Sequence, residues 1–462
     1  MRRAAARVVA LAALGALTVV LSLVPPVSAQ SATVIEHVNV IPMDTERVLE
    51  DYSVYVRNGR IEWMGPAAQA GVTPGVTRVD GRGKYLIPGL AEMHAHIPPD
   101  TMPQLRLGRA WVEQVLFLYV ASGVTTIRGM LGQSTHLELR RQVETGTPLG
   151  PRIWTSGPSV NGNTVTTPDS ALRAARHQKA AGYDFIKIHP GLAREVFDSL
   201  DAAADRAGIR YAGHVPLAVG LPRALEAGFW SVDHLDGYVE ELAGKTGHSG
   251  GWFGVSFATD VNRAGIGALA RRTREAGVWN VPTQTLMESV ALGRTPDALN
   301  ARPELRYIPQ QLRQQWNNQT RTIAADLPAT EVVTRWIEVR RALLKALQDA
   351  GAGLLLGSDA PQVWNVPGFS VHRELEALVT AGLTPYQALT TGTRNVATYL
   401  GTTDRAGTIA VGKQADLVLL DANPLTDIRN TTRRAGVMLR GVWMPQAEIQ
   451  RRLDEIAAGY GN

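Results

Sequence analysis

Short apolar runs broken by turns occupy both ends of this chain, and a different texture fills the middle. From Thr33 to Val79, the apolar positions Val34, Ile35, Val38, Val40 and Ile41 are followed by Val54, Val56 and Ile61 around the turn Asn58-Gly59-Arg60. That pattern predicts a small antiparallel β unit with a hairpin. After Pro88-Gly89, short apolar strands alternate with amphipathic helices, the sign of a βα barrel. Strands are expected to end near His96, Arg128, Ser156, His189, His214, His234, Thr283 and Asp359, which makes eight. Helices are expected over residues 105–122, 170–181, 193–207, 219–227 and 330–350. Past Leu400 the chain returns to short strands, clearest at 416–420 and 435–439. The expected fold is α/β: a (β/α)8 TIM-like barrel over residues 88–404. It interrupts a small β-sandwich domain built from residues 30–87 and 405–462, the latter with a terminal helix.

Two connections are long. Residues 236–276 contain the glycine-rich stretch 244–254, and residues 286–329 are polar, with Gln310, Gln311, Gln314, Gln315 and Asn317 close together. Both follow strands at the face where barrel enzymes carry their sites, so they read either as lids and substrate walls or as solvated insertions.

The first residues change the setting. Arg2, Arg3 and Arg7 precede an apolar run over residues 8–24, then Pro25-Pro26 and Val27-Ser28-Ala29. A basic start, a short apolar core and small residues at a cleavage site describe an export signal over residues 1–29, with the mature chain beginning at Gln30. An uncleaved anchor is the alternative, since the run is near the lower limit for spanning a bilayer. The expected location is therefore outside the cytoplasm, periplasmic or secreted, with no stable membrane insertion after cleavage. Without the three signal arginines the formal net charge falls from +5 to +2. No clustered basic patch supports a nucleic-acid partner, so the expected partner is a small-molecule substrate, and a homo-oligomer stays open. The chain has no cysteine, so any metal must be held by nitrogen and oxygen.

Four of the ten histidines sit at carboxyl ends of expected strands. His94 and His96 follow the apolar stretch 85–93, and residues two apart on a strand share a face, so both imidazoles can meet one ion. His214 ends 209–213 and His234 ends 230–233; each alone reads equally as a core or loop histidine. Asp359 follows Leu354-Leu355-Leu356-Gly357-Ser358, as a site carboxylate or as a helix N-cap. Lys187 lies in Phe185-Ile186-Lys187-Ile188-His189, otherwise fit only for a buried parallel strand. An ammonium buried there is costly unless paired or neutralised. Either a salt bridge answers this, or the amine has captured carbon dioxide as a carbamate able to bridge two cations. Four histidines, one carbamate and one aspartate make a nitrogen and oxygen site for two divalent ions.

In their order, these residues resemble the amidohydrolase superfamily, in its imidazolonepropionase-like and Xaa-Pro dipeptidase-like branch. Pro88-Gly89-Leu90-Ala91-Glu92-Met93-His94-Ala95-His96 is similar to its first-strand motif. Gly123-Val124-Thr125-Thr126, the Lys187 strand, His214, Asp233-His234 and Gly357-Ser358-Asp359 follow in the same order, and Gly412-Lys413-Gln414-Ala415-Asp416-Leu417-Val418 continues it. The resemblance implies one metal on His94, His96 and Asp359, a second on His214 and His234, and carboxylated Lys187 between them. It implies two divalent ions, Zn with Mn or Co as alternatives, sharing a hydroxide, and Asp359 as the catalytic residue that moves a proton to the leaving nitrogen. The activity implied is hydrolysis of an amide or peptide C–N bond in a dipeptide or N-acyl amino acid. A lactone, carbamate or phosphoester is the alternative for the same site. Deaminases of the superfamily typically do without the strand-four lysine, so Lys187 argues against them. Departures fall in the pocket and bear on substrate: Glu92 replaces a usual Asp, Gly129 replaces an acid, and Val215-Pro216 follow His214 where a second histidine is often found.

Tyr238, four residues past His234, and Arg128, at the end of strand two, are candidates for holding a substrate carboxylate. His189 is expected to face the same interior as Lys187. One competing motif is Gly247-His248-Ser249-Gly250-Gly251, which fits the Gly-x-Ser-x-Gly pattern of serine hydrolases. That pattern requires an apolar strand before the serine and a helix after it, and the polar residues around Ser249 supply neither.

Overall fold

The computed structural model describes residues 32–71, 74–293 and 296–461; the expected export signal and its cleavage site lie outside them. Among the described residues no helix is long and apolar enough to cross a membrane. Five strands open the chain: β1 (Thr33–Val40), β2 (Leu49–Arg57), β3 (Arg60–Pro66), β4 (Thr77–Asp80) and β5 (Tyr85–Pro88). Seven follow in the middle: β6 (Leu90–Ala95), β7 (Val124–Gly129), β8 (Arg152–Thr155), β9 (Phe185–Ile188), β10 (Arg210–Gly213), β11 (Ser231–Asp233) and β12 (Trp279–Val281). Three close it: β13 (Leu417–Leu420), β14 (Arg434–Leu439) and β15 (Val442–Pro445), before a terminal helix Gln446–Gly459.

The terminal strands form one connected sheet of order β15-β14-β13-β5-β1-β2-β3, with β4 also on β1. Hydrogen bonding keeps all eight strands of the expected second domain on one network. The reason lies in β1. Its first half pairs with β4 in parallel and its second half with β5, and His37 at the break has φ +53°. That irregular residue lets a single strand change partners. The hairpin β2–β3 turns at Asn58-Gly59 as expected, and Ile35, Val38, Val54, Val56, Leu86, Leu417 and Met438 build this unit's own apolar core.

The middle strands are parallel, three in the sheet β6-β7-β8 and four in β9-β10-β11-β12. Fully buried parallel strands carry near-continuous apolar runs, as Phe185, Ile186 and Ile188 do on β9, interrupted by Lys187. At one seam the Asp184 amide donates to the Thr155 carbonyl at 3.0 Å. At the other seam lies residues 353–360, the expected eighth strand. Leu355 donates to Asn280 at 2.9 Å on one side, while Met93 donates to Leu356 and Asp359 to His94 on the other, at 2.8 and 3.0 Å. This segment makes isolated bridges, from Leu354 to Asn280 and from Ala360 to Ala95, instead of a regular ladder, and Asp359 between them takes φ +67°.

Helices follow their apolar spacing. Thr330–Ala350 buries Val333, Trp336, Ile337, Arg340, Leu344 and Leu347, and Pro168–Ala181 starts with a capping box between Thr167 and Ser170. Neither long connection is structureless. Residues 236–276 hold the helices Tyr238–Leu242 and Ile266–Glu275, and the glutamine-rich stretch is the helix Gln310–Asp326, anchored by buried Leu312, Trp316 and Thr320.

Gly213, the last residue of β10, has φ +130°, and a Cβ there would sit 2.4 Å from the Ile188 carbonyl oxygen and 2.8 Å from Lys187 Cδ. Gly213→Ala should therefore destabilise the fold by about 1–3 kcal/mol through backbone strain and overpacking. A denaturant unfolding midpoint equal to that of the parent chain would contradict this.

Candidate metal centre

Each residue of the site sits at or just past the carboxyl end of a middle strand, where irregular backbone can re-aim it. His94 is on β6 and His96 follows it; Lys187 is on β9; His214 follows β10 and His234 follows β11; Asp359 lies in the extended segment 353–360. His234 and Asp359 both take left-handed backbone angles, at φ +61° and +67°. Strain of this kind costs on the order of 1–3 kcal/mol per residue and concentrates at functional sites.

The histidines form a continuous arc. Ring centroids are 5.5 Å apart for His94 and His96, 4.6 Å for His94 and His234, 4.6 Å for His234 and His214, and 5.2 Å for His214 and His189. Asp359 Oδ1 lies 2.7 Å from His96 Nε2 and 3.6 Å from His94 Nε2, and Oδ2 is 4.0 Å from His234 Nδ1. Ligand atoms of His94, His234 and Asp359 all lie within 4.8 Å of one another. Two buried polar atoms in this group, Asp359 Oδ1 and His94 Nδ1, make no hydrogen bond of good geometry, although His96 and Asp233 lie within ion-pair distance of them. Leaving such atoms unsatisfied is costly, and a cation would satisfy the carboxylate oxygen. Burial first, then the charge on Lys187, holds the His94 imidazole well below its usual pKa; burial and His214 do the same to His234. Neutral imidazoles are the ligating form, so this nitrogen and oxygen donor set fits a divalent ion.

Beneath the arc lies Asp233, completely buried. Its Oδ2 is 3.1 Å from His94 Nδ1 and 3.5 Å from Lys187 Nζ, while Oδ1 accepts from Arg128 at 3.2 Å and Ser231 at 2.9 Å. Burial pushes the Asp233 carboxyl up, but the Arg128 and Lys187 charges outweigh it and leave the group below its ordinary value. Burial lowers the Lys187 pKa, against the pull of Asp233 and Asp359.

Two expected substrate contacts need correction. Arg128 is fully buried and donates to the Met93 carbonyl at 2.7 Å, to Ser231, to Tyr399 and to Asp233, so its guanidinium is committed below the site. Tyr238 is also fully buried, its hydroxyl bonded to Thr273 at 3.0 Å and Asn280 at 2.9 Å. Neither faces space that a substrate could fill. His189 does stay at the rim, half-buried, with Nδ1 2.6 Å from Ser159 Oγ. Ser249 is exposed in an irregular loop with neither the strand nor the helix of a nucleophile elbow around it.

Several supporting residues escaped the sequence reading. His214 Nδ1 pairs with Asp236 at 2.7 Å, His234 Nδ1 with Thr283 at 2.8 Å, and Gln362 donates to Asp359 Oδ2 at 3.1 Å. Arg340 donates to the carbonyls of His234 and Pro282, at 2.8 and 3.0 Å. Glu92 accepts from the amides of His94 and Ser358, at 3.0 and 2.8 Å, and burial pushes its carboxyl up to about 8. The one signal available was an arginine within the apolar stripe of 330–350. From the glycine-rich loop, Phe253 brings its ring centroid to 5.3 Å from that of His234.

A family model described as "Amidohydrolase family" matches residues 85–444. An imidazolonepropionase of Rubrobacter xylanophilus is 26% identical over 397 residues, spanning 80% of this chain and 84% of that protein. The solved structure of a bottromycin amidohydrolase superposes with a TM-score of 0.72 at 23% identity, covering 93% of this chain and 91% of its own. That of a Xaa-Pro dipeptidase with methionine bound in its active site gives 0.66 at 21% identity, covering 90% and 100%. The two structural likenesses are likenesses of fold. The family model runs from β5 through β6 with its His94 to β15, so it takes in every strand that carries the arc, and this chain belongs to the amidohydrolase family, as a hydrolase acting on carbon–nitrogen bonds.

Proposed function

We propose that this chain is an exported hydrolase of the amide or peptide bond of a small substrate, a dipeptide or an N-acyl amino acid, working with two divalent ions. The observation that carries it is the arc of imidazoles, with His94 and His234 buried and held neutral, closing on the buried Asp359 carboxylate. His94, His96 and Asp359 would hold one ion and His214 and His234 the other, with carboxylated Lys187 between them. When bound, such ions polarise the scissile carbonyl and make water a nucleophile near neutral pH. The bond class is supported by the imidazolonepropionase, prolidase and amidohydrolase names among the relatives. In the same reading the two parallel sheets and the segment 353–360 make up one (β/α)8 barrel over 88–404, and the chain ends make up the second domain.

The residues of the chain divide the remaining work. Asp359, oriented by the Gln362 amide donating to its Oδ2, would take a proton from the attacking water and deliver it to the leaving nitrogen. Asp236 and Thr283 fix the ring orientations of His214 and His234, the usual role of partners behind a ligating histidine. For Lys187, the salt bridge is the weaker of the two answers. Its 3.5 Å separation from Asp233 is long for a charge-assisted bond, and Asp233 already has Arg128. An ammonium beside two dications is disfavoured by repulsion as well as by burial. Addition of carbon dioxide to the neutral amine releases one proton and leaves an anion with two oxygens.

Chelation should abolish activity, and Zn²⁺, Mn²⁺ or Co²⁺ should restore it; a chelator-resistant hydrolase would return attention to Ser249. Lys187→Ala should lose most bound metal and reduce turnover by orders of magnitude, as metal analysis and kinetics would read. Normal metal content in that variant would make the lysine structural.

In a screen of the metal-loaded protein, dipeptides and N-acyl amino acids should be cleaved in preference to lactones, carbamates and phosphotriesters. The reverse preference would assign the site to another bond.

N-terminal sequencing of the protein from its producing cells should read from Gln30, outside the cytoplasm. A chain still beginning at Met1 in a membrane fraction would replace the cleaved signal with an anchor.

A further inference from the structure

A cavity of about 280 Å³ opens beside the arc, from His214 and Asp236 beneath the glycine-rich loop to Glu240, Trp252 and Phe253. Its lining holds two carboxylates and two aromatic rings, and no lysine or arginine. Glu240 is only 8% exposed, yet among the described residues no cation forms an ion pair with it. Arg340 acts on it only at longer range, because its guanidinium donates to Gln284, His234 and Pro282. The loop is shaped to this carboxylate. Gly254 crosses it with φ +73°, and a Cβ there would lie 2.8 Å from Glu240 Oε1. The preceding Phe253 is held at φ +49°, a costly angle for a residue with a side chain, by Trp336 Nε1 donating to its carbonyl at 3.0 Å. The strained backbone thus places an aromatic ring beside the histidine arc, in the cavity that Glu240 also lines.

A buried carboxylate without a counter-charge is costly, and a carboxylate together with aromatic faces attracts cations. We infer that this cavity seats a cationic group of the substrate, an alkylammonium or a guanidinium, beside the amide bond to be cleaved. The word substrate rests on the proposed hydrolase activity; the binding of a cation does not. The shared chemistry has two sources in a peptide-like molecule, a free α-amine or a basic side chain. A purely local role is the competing account, in which Glu240 serves the amides of Gly237 and its own residue at the start of the helix Tyr238–Leu242.

Calorimetry on the metal-loaded full chain separates these accounts, with n-butylammonium, n-butylguanidinium and neutral 1-butanol as probes. Either cation should bind about tenfold or more tightly than butanol, a difference of about 1.4 kcal/mol. Glu240→Gln should lose that margin without changing butanol binding, and Phe253→Leu, which leaves the helix start untouched, should weaken cations several-fold. Equal binding of cations and butanol in the parent chain, or an undiminished margin in Glu240→Gln, would overturn the inference. Relative kcat/KM for Ala-Pro, N-acetyl-Lys-Pro and N-acetyl-Ala-Pro then assigns the source, with preference for the first indicating the α-amine and for the second the side chain. Selective cation binding with no amide cleaved would support the pocket and refute the hydrolase's substrate class. Amide cleavage with no cation margin would refute the pocket alone.

Discussion

The Asp233 carboxylate, without exposed surface, touches nearly everything on which the site depends. One oxygen lies against His94 and Lys187, and the other is bonded to Arg128 and Ser231. Arg128 in turn ties together the Met93 carbonyl of β6, Ser231 of β11 and Tyr399 of a later helix. One buried ion pair thus joins strands from opposite sides of the parallel array. Such pairs contribute little when complete, but losing one partner costs about 3–5 kcal/mol because the other charge is stranded. The interior of the parallel array is therefore held by charge as well as by apolar packing, and that charge sits directly beneath the histidine arc.

A second level of support comes from groups that hold the backbone around the site. Arg340 holds the carbonyls of His234 and Pro282, and Glu92 holds the amides of His94 and Ser358. Both are buried, and each fixes a point where the chain leaves regular geometry. His234 and Asp359, in left-handed conformations, lie beside these points. The strain is local, and the hydrogen bonds that oppose it arrive from distant parts of the sequence.

Much of this was legible in the sequence. The mainly apolar stretches that lead to His94 and Asp359 mark strand termini, because parallel strands buried on both faces are largely apolar until they reach the rim. Helix 330–350 was legible because its stripe repeats at helical spacing. Other features were hidden for physical reasons. Arg128 and Tyr238 lie near strand ends in sequence, but direction is set by packing, and packing turned both into the interior. Glutamines mask the helix Gln310–Asp326, since only Leu312, Trp316 and Thr320 face inward. The single sheet at the chain ends depends on an irregular residue, His37, that no apolar pattern announces. Lys187 stood out because a lone cation in an apolar strand is expensive, and that signal needs no contact map.

The pairing of β5 between β1 and β13 has a mechanical consequence. β5 is joined to β6 by Gly89 alone, whose amide donates to the Asp416 carbonyl at 2.8 Å, and His94 rides on β6 only a few residues later. The strand that carries the first pair of histidines is thus clamped from behind by segments drawn from both ends of the polypeptide. During synthesis that clamp cannot close until β13 has left the ribosome, and until then β5 presents one edge unpaired behind the histidines it helps to hold.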